Sequence, residues 1–577
     1  MRLKRFTDKR LRAAGFLLAG FCLAALLSAV PRAHARPRYG GNLVIASTGD
    51  PKSFNPVMAK ETTTSMVTNF IFEGLTRINA ETLQPEANLA RRWETSRNGR
   101  QWTFFLREDV LWNDGEPFTA DDVVFTFNQL IYNDRIPSSA RDIFTIDGEE
   151  FLVEKVSEHV VRFTLPMKFA PFLRAMTQEI LPEHRLAEAV RSGEFVFHWG
   201  IDTAPGDVVG TGPFRLSAYH PGERIVFERN PHYWKRSREG GALPYLDGII
   251  MLIVQNQDAV VLKFLEGEVD YCGVRGMDFP ILKPLEEEKD FTVYRMGPDF
   301  GANFLVFNQN RGTHPETGRP YVPEHKRRWF TDDHFRRAVA HAVDRERMIA
   351  IIKNGLGSAQ HAPMSPSAGF FYNADVPRNT YDLKKAADLL RQAGYRDRDG
   401  DGIIEDPQGV PVSFNLYTNA GNPEREQIAA MIRQDLEHLG MRVNFLGLEF
   451  NALISKLNAT FEWDAVILGL TGGIEPHFGK NVWHSSGQLH LWYPMQESPA
   501  TEWEARIDEI FVRGVQELDP QKRKELYDEW QVIVARRVPL IYTILGSNMF
   551  AVRDIFGNLN PTNAGAFHNV EEIYIRE

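Results

Sequence analysis

The chain has 577 residues, of which 43% are hydrophobic and 25% charged, and its formal net charge is −10. That length predicts about three domains. Its apolar content is ample for large cores that need no disulfide framework. Beyond residue 35 the chain is acidic and its Lys and Arg residues are not clustered, which excludes nucleic acid and anionic membrane surfaces as expected partners.

The N terminus, residues 1–35, has the features of a cleaved export signal. Six Lys or Arg residues precede the apolar run 13–30, and residues 33–35, Ala-His-Ala, form an A-x-A cleavage site. A membrane anchor is the alternative, but the run is only marginally long enough to span a bilayer. Cys22 follows a phenylalanine where a lipidated cysteine would need a small residue, so we expect a soluble periplasmic protein and not a lipoprotein. Cleavage removes seven basic residues and one acid, which leaves a net charge of −16 and Cys272 as the one cysteine.

The first predicted elements of the mature chain are two strands, a turn and a helix. Residues 40–46 have the pattern of a buried strand, and alternation predicts a second strand over 102–107. Residues 113–115, Asn-Asp-Gly, are typical of a tight turn. Thr119 is expected to cap a helix, with Asp122 in the capping-box position three residues later.

The second half of the chain alternates helices and strands, which predicts a mixed α/β fold. Capping residues and glycine stops delimit these segments. They are a helix that begins after Thr331 or Asp332 and ends at Gly355, a helix from Asp382 to Gly394, a helix over 423–439 that stops at Gly440, strands over 442–448 and 465–470, and a helix over 520–537.

A D-x-D-x-D-G sequence resembles the opening half of a calcium loop, with Asp397, Asp399 and Asp401 as candidate ligands. Glu405 falls at the ninth position, but the twelfth is Gln408 instead of the bidentate Glu that such a site requires. A strand follows in place of the second helix. We favour a polar hairpin turn and predict no bound metal, with calcium as the alternative.

Catalytic and metal-binding motifs are missing from the sequence. It contains no G-x-S-x-G elbow, P-loop, H-E-x-x-H or C-x-x-C. His477, His484 and His490 are spaced by seven and six residues, which fits no common metal site. We therefore predict a protein that is not an enzyme and has no cofactor. A secreted hydrolase whose residues assemble only in three dimensions is the alternative of another class.

Residues 90–124 resemble the signature of the solute-binding proteins of peptide-type ABC importers, the dipeptide- and oligopeptide-binding family known as bacterial extracellular solute-binding family 5. The matching residues in this segment are Trp93, Trp102-Thr103-Phe104, Leu106-Arg107, Trp112, Asp114-Gly115, Pro117-Phe118-Thr119-Ala120 and Asp122-Val123. Further matches extend over almost the whole mature chain: Gly210-Thr211-Gly212-Pro213-Phe214, Arg229-Asn230-Pro231-His232-Tyr233-Trp234, Pro244-Tyr245-Leu246-Asp247, Gly267-Glu268-Val269-Asp270, Phe307-Asn308, Arg336-Arg337-Ala338 and Ala342-Val343-Asp344-Arg345.

The resemblance implies an α/β, two-lobed periplasmic-binding-protein fold of the large, three-domain peptide-binding type, with a hinge and an interlobe ligand cleft. In such proteins the ligand makes contacts that exist only in the closed state, so it shifts an open/closed equilibrium. An ABC permease in the inner membrane then recognises the closed form, and we expect the binding protein to be a monomer. The implied division is a base lobe over 37–82, 206–295 and 546–577, an inserted small domain over 83–205, and a second lobe over 296–545.

The resemblance also places candidate ligand contacts at three points. They are Thr62 and Thr63 in the loop after the first strand, Asn303 and Phe304 on a strand that links the lobes, and Thr471, Gly472 and Gly473 in the loop after strand 465–470. The two glycines free backbone amides for a close approach to a ligand, although turn formation alone would also explain them.

Glu475 is the predicted partner of a ligand ammonium group. In peptide-binding relatives an aspartate a few residues after this strand holds the α-ammonium group, and residues 472–476 contain no aspartate. Glu475 can accept charge-assisted hydrogen bonds in its place, although its offset differs. The missing aspartate leaves a neutral or N-blocked ligand open. His477 and Trp483 complete the predicted site, and Trp483 either contacts the ligand or packs in the core.

These observations predict the extracytoplasmic solute-binding component of an ABC importer. It would capture peptides in the interlobe cleft and deliver them to the permease unaltered. A protein of the same fold that binds an oligosaccharide or another non-peptide solute is the alternative.

Overall fold

The structure is a computed structural model that describes residues 37–58, 62–138, 140–146 and 148–576. The predicted export signal lies outside these residues. Within the described ranges, no helix combines the length and the apolar character that crossing a membrane requires.

Strands occur along the whole described chain. In chain order they are β1 (Asn42–Ser47), β2 (Thr76–Ile78), β3 (Pro85–Ala87), β4 (Ala90–Thr95), β5 (Gln101–Leu106), β6 (Thr145–Ile146), β7 (Glu149–Glu150), β8 (Leu152–Ser157), β9 (Val160–Thr164), β10 (Phe214–His220), β11 (Arg224–Arg229), β12 (Gly248–Ile253), β13 (Tyr271–Gly273), β14 (Phe291–Pro298), β15 (Ala302–Phe307), β16 (Gly357–Ala359), β17 (Ser413–Asn419), β18 (Arg442–Leu448), β19 (Ala465–Leu470), β20 (Leu540–Tyr542), β21 (Ile544–Arg553), β22 (Phe556–Gly557) and β23 (Tyr574–Ile575).

The α-helices are interspersed with these strands. They are α1 (Thr62–Ile71), α2 (Ala120–Phe125), α3 (Arg141–Phe144), α4 (Phe172–Ala175), α5 (Glu183–Ser192), α6 (Gln257–Glu266), α7 (Phe279–Leu282), α8 (Glu286–Lys289), α9 (Glu324–Thr331), α10 (Asp333–His341), α11 (Arg345–Ile352), α12 (Leu383–Gln392), α13 (Pro423–His438), α14 (Phe450–Ser455), α15 (Lys480–Trp483), α16 (Glu502–Gln516) and α17 (Pro520–Arg537).

Several boundaries follow the predicted caps. Thr119 caps α2 and forms the capping box with Asp122, whose Oδ2 accepts the Thr119 backbone N–H at 2.9 Å. The strand β19 and the helix α17 have the predicted ends. The single helix predicted over 331–355 is wrong, because the chain forms α10 and α11 there. Asp344 caps the second of these helices by accepting the N–H of Arg347 at 3.0 Å.

Three sheets form the first lobe. Two of them, β1-β12-β11-β10 and β4-β5-β9-β8, have four strands each, and the third is β13-β21-β14, in which β21 also pairs with the short strand β16. One apolar cluster extends from Leu43 on β1 through Phe104 on β5 to Ile573 near the C terminus. Stretches from both ends of the chain and from the inserted segment therefore share a core. Burial of each large apolar side chain contributes about 1.5–3 kcal/mol.

The second lobe is built on the five-stranded sheet β18-β17-β19-β15-β20. Strands β18, β17, β19 and β20 run parallel, and β15 runs against them. Leu305 and Phe307 of β15 belong to one core cluster, and Phe304 and Val306 belong to another. Both faces of the sheet are covered, and residues 304–307 of β15 and 465–468 of β19 are accordingly continuous apolar runs.

Both segments that join the lobes leave the second lobe at the same end of the strands of this sheet. We call this end, where β17, β19 and β20 finish and β15 begins, the hinge edge. Strand β15 begins at Ala302 opposite Leu470, the last residue of β19, and β20 ends at Tyr542 beside β15. The parallel strand β17 ends at Asn419 on the same side. The loops that follow β17 and β19 therefore lie next to the junction between the lobes.

Candidate ligand-binding site

A cavity of 760 Å³ opens where the first lobe meets the loop that follows β19. Its first-lobe wall includes Ala46 at the end of β1, Tyr271 on β13 and Phe567 near the C terminus, and Ile474 reaches it from the second lobe. This volume lies within the range of about 300–1,000 Å³ that is usual for small-molecule sites. The lining combines aromatic and apolar side chains with polar and charged ones, among them Asn69, Glu179 and His568.

Helix α1 forms one wall of this cavity. Thr62 and Thr63 do not lie in a loop, as predicted, but in the first turn of the helix. The wall itself comes from later turns, through Met66, Asn69 and Phe70. A run of threonines disfavours a helix locally, but burial of one face of α1 against the first lobe stabilises it.

Two cations and two carboxylates border the cavity on the first-lobe side. Lys235 Nζ lies 3.1 Å from Glu571 and 3.6 Å from Glu73, and Arg77 lies 3.3 Å from Glu571. Burial raises the pKa of Glu73. Burial also opposes ionisation of Glu571, but the charges of Lys235 and Arg77 outweigh it and lower the pKa of that carboxyl. No local sequence pattern predicts this cluster, because its members come from segments that are far apart along the chain.

The loop after β19 starts with three exposed residues, Thr471, Gly472 and Gly473. A Cβ at Gly472 would lie 1.6 Å from the carbonyl oxygen of Phe300, in the segment that joins β14 to β15. Gly472 therefore permits two backbone segments to cross, and its predicted contact with a ligand stays a prediction. Gly473 has no such neighbour, because a Cβ there would meet nothing within 4 Å.

Glu475 is paired with a cation of the protein itself in this structure, and its role as partner of a ligand ammonium group stays a prediction. The residue is 5% exposed, and both of its carboxylate oxygens accept from the Arg523 guanidinium, one of them at 2.9 Å. It also accepts the backbone N–H of His477 at 2.9 Å. No local pattern reveals this pair, because Arg523 lies on α17, 48 residues further along the chain.

Phe304 and Trp483, two aromatic residues predicted to contact the ligand, belong to the core of the second lobe. Phe304 is 0% exposed and packs edge-on against Tyr542, with 6.1 Å between the ring centroids. Trp483 is 6% exposed and lies between Trp492 and Trp530, at 5.7 and 5.1 Å. Trp483 therefore packs in the core, which is one of its two predicted roles, and the ligand contact of Phe304 stays a prediction. The face on which each side chain lies depends on tertiary packing.

His477 lies at a contact between the lobes. Its ring packs edge-on against Phe169 of the first lobe, with 5.8 Å between the centroids. The next residue, Ala170, donates its N–H to the carbonyl of Val515 in the second lobe at 2.7 Å. The Nδ1 atom of His477 is buried and has no hydrogen-bond partner in the described part of the chain. The ring therefore contributes to the contact between the lobes, and its contact with a ligand stays a prediction.

The pKa of His477 is lowered to about 3, first by burial and then by the charges of Lys480 and Arg523. In an unfolded chain a histidine titrates near pH 6.5. Because the unfolded state binds a proton that the folded state excludes, we expect stability to fall as the pH drops below about 6.5, by up to about 1.4 kcal/mol per unit. Urea unfolding at pH 7 and pH 5 checks this, since His477→Gln should lose less stability than the wild type. Equal losses would contradict the assignment.

A polar cluster surrounds Asn303 at the hinge edge. Arg425 donates from Nε to Asn303 Oδ1 at 3.2 Å and from Nη1 to Asn419 Oδ1 at 2.9 Å. Lys353 Nζ donates to Glu424 Oε2 at 2.6 Å. No motif predicted a role for Arg425. Its position in the first turn of α13 is unusual for a cation, because a positive charge there opposes the helix dipole.

The D-x-D-x-D-G segment, for which we favour a polar hairpin turn over a calcium loop, is an acidic turn. Oxygens of Asp397, Asp399 and Glu405 lie within 4.8 Å of one another, and Asp401 is outside this group. Asp397 accepts two glycine N–H groups at 2.7 and 3.0 Å, and Arg398 lies 3.5 Å from Glu405. The hydrogen bonds and the nearby cation stabilise the turn without an ion.

We therefore expect titration calorimetry of chelator-stripped protein with Ca²⁺ to show no binding heat. The carboxylates are engaged by backbone N–H groups, and Gln408 replaces the bidentate Glu of a calcium loop. Asp397→Asn is the matched control. A binding heat in the wild type that this substitution abolishes would support a calcium site instead.

Two lobes joined by two segments, with a cavity at their junction, define a solute-binding protein of the periplasmic type. The family model described as "Bacterial extracellular solute-binding proteins, family 5 Middle" matches residues 84–488. The chain belongs to this family, whose members are the binding components of ABC importers. The predicted family and the predicted two-lobed α/β fold are confirmed, and the chain is a binding protein and not an enzyme.

Known relatives differ in what their names say they bind. The oligopeptide-binding protein AppA of Bacillus subtilis is 27% identical over 82% of this chain and 81% of its own. The dipeptide-binding protein of Escherichia coli is 26% identical over 92% and 93%. The periplasmic alpha-galactoside-binding protein of Rhizobium meliloti is 25% identical over 88% and 76%. The structure of B. subtilis AppA with a nonapeptide has the same fold, with a TM-score of 0.71 and 24% identity over 94% of this chain and 100% of that one.

Proposed function

We propose that this protein captures peptides between its two lobes and delivers them to an ABC permease. The observation that carries the proposal is the 760 Å³ cavity, which is bordered by the first lobe and by the loop after β19. Apolar and aromatic walls with a few polar groups suit peptide side chains and main-chain atoms. A ligand that touches both lobes stabilises the closed state, because only closure completes its contacts.

The proposal includes the organisation of the chain. We place a cleavage site after residue 35 and a soluble, non-lipidated monomer in the periplasm, with no nucleic-acid partner. An acidic mature chain agrees with the last point. The proposed domains are a base lobe over 37–82, 206–295 and 546–577, an inserted domain over 83–205, and a second lobe over 296–545.

The proposed ligand contacts combine predicted and newly identified residues. Asn303, Thr471 and Gly473 are the sequence-predicted residues that lie at the hinge edge with exposed or half-buried polar groups. Ile474, a newly identified residue of the same loop, lines the cavity directly. The first-lobe side is the wall formed by α1 and the ion cluster of Glu73 and its partners.

A non-peptide solute, such as an oligosaccharide, is the second candidate. It is favoured by the ion pair of Glu475 with Arg523, which removes the predicted anchor for a free amino terminus. A ligand without an ammonium group does not need that anchor. The relative from R. meliloti that is named for alpha-galactosides is similar to 88% of this chain.

Native mass spectrometry of the protein purified from its own host tests the proposal. We expect peptides to co-purify and to be released unaltered. A thermal-shift screen of peptides and galactosides then gives the selectivity, since a ligand at 100 times its dissociation constant adds about 2.7 kcal/mol to the stability of the native state. Stabilisation by galactosides alone would favour the second candidate, and recovery of a chemically changed ligand would favour a hydrolase.

A further inference from the structure

A second cavity, with a volume of 300 Å³, lies in the second lobe beside one of the segments that join the lobes. Gln360 and His361, which directly follow β16, line this cavity, which we call the hinge cavity. Strand β16 pairs with β21, and the backbone N–H of Gln360 donates to the carbonyl of Thr543, between β20 and β21, at 3.0 Å. The hinge cavity shares no lining residue with the 760 Å³ cavity, so the two are separate.

Two buried polar atoms at the hinge cavity have no hydrogen-bond partner in the described part of the chain, Oε1 of Gln360 and Nδ1 of His361. Gln360 is 3% exposed, and its Nε2 donates to the carbonyl of Ala362 at 3.1 Å, which fixes the orientation of the amide and leaves Oε1 as a free acceptor. Burial, and then the charges of Arg345 and Arg378, lower the pKa of His361 to about 4, so the ring is neutral at pH 7. Unpaired buried polar groups are costly, and a polar ligand removes that cost.

Two exposed groups of opposite charge complete the lining. They are Glu346 in the first turn of α11 and Arg378 in the segment that precedes α12. Neither side chain forms a salt bridge or a hydrogen bond with another residue that the structure describes. Met364 and Val376, which are 7% and 6% exposed, add an apolar wall. A cation, an anion, a free acceptor and an apolar wall therefore border one small cavity.

We propose that the hinge cavity is a second binding site, separate from the ligand cleft, and that it takes a free α-amino acid with an apolar side chain. The α-carboxylate pairs with Arg378, and the α-ammonium group donates to Glu346 and to Oε1 of Gln360. The side chain of the amino acid packs against Met364 and Val376. A volume of 300 Å³ is at the lower end of the usual range for small-molecule sites, which suits a ligand of this size. The inference does not depend on what the ligand cleft binds.

Equilibrium dialysis of the full mature chain against an equimolar pool of the common amino acids tests the proposal, with each amino acid quantified by mass spectrometry. We expect the protein to retain amino acids with apolar side chains. For the amino acid that is retained best, we then compare one analogue without the α-ammonium group and one without the α-carboxylate. Each analogue should bind about 10-fold to 100-fold more weakly, which is the usual effect of one hydrogen-bonded charge.

Substitutions of the two charged lining residues locate the site. Arg378→Gln and Glu346→Gln should each weaken retention by about 10-fold or more, and Arg378→Lys should keep part of it, because lysine keeps the charge but not the planar donor. Arg433→Gln is the matched control with the same change of charge, since Arg433 is exposed on α13 and pairs only loosely with Glu437, at 3.7 Å. It should bind like the wild type. Both lining charges are exposed, so we expect these variants to fold, and urea unfolding checks that they do.

Two results would overturn the inference. Retention of no amino acid by the wild type would show that water alone occupies the hinge cavity. Retention that Arg378→Gln and Glu346→Gln leave unchanged would place the amino acid elsewhere on the protein. Neither result bears on the proposed function, because native mass spectrometry measures peptide capture in the ligand cleft separately, and Arg378→Gln should leave that capture unchanged.

Discussion

Replacing Glu475 by Gln is expected to destabilise the protein by about 3–5 kcal/mol, because it leaves the charge of Arg523 buried without its partner. The two residues are 5% and 6% exposed. Urea unfolding followed by tryptophan fluorescence measures the loss. The double substitution Glu475→Met with Arg523→Met is the matched control, since removal of both charges should recover most of the stability.

The same variant separates a structural role from a role in ligand recognition. If Glu475 acts only through Arg523, affinities for peptides with free and acetylated amino termini should change alike. A loss confined to peptides with free amino termini, at an unchanged urea midpoint, would restore Glu475 as the amine partner. The contact of His477 with Phe169 lies beside this pair, so the pair also supports the junction between the lobes.

Gly472→Ala is expected to cost about 3 kcal/mol or more, which is at the upper end for a steric insertion. A Cβ at that position would lie 1.6 Å from the Phe300 carbonyl oxygen and 2.4 Å from its carbonyl carbon. Both neighbours are backbone atoms of the segment that joins the lobes, so no side-chain rotation relieves the clash. We expect a lower melting temperature together with weaker ligand binding.

Gly473→Ala is the control for this prediction. A Cβ there meets nothing within 4 Å, and the surface position predicts a change within about 0.5 kcal/mol. Equal effects of the two substitutions would show that the loop after β19 has a different path. A selective loss of affinity in Gly473→Ala, without loss of stability, would place that backbone in direct contact with the ligand.

The surroundings of the residues in and after the loop that follows β19 depend on partners outside the loop. Local sequence indicates the conformational freedom of Gly472, but only the structure shows the close approach of Phe300. For Trp483 the sequence leaves ligand contact and core packing open, and in the structure two other tryptophans enclose it. Arg425, which lies at the same edge, carried no motif and was missed.

The sequence by itself determined the family, the mixed α/β class and the ends of many elements. Caps and apolar periodicity act within a few residues, so the Thr119 and Asp122 capping box and the bounds of α17 could be predicted locally. Only the tertiary structure decided which charges are paired and which are free. Glu475 is neutralised by Arg523 from 48 positions away, and Arg425 is left with two amides. Charges interact, and side chains pack, according to their distance in space. Residues that are far apart along the chain become neighbours only when the chain folds, so the spacing of residues in the sequence does not show which of them will meet.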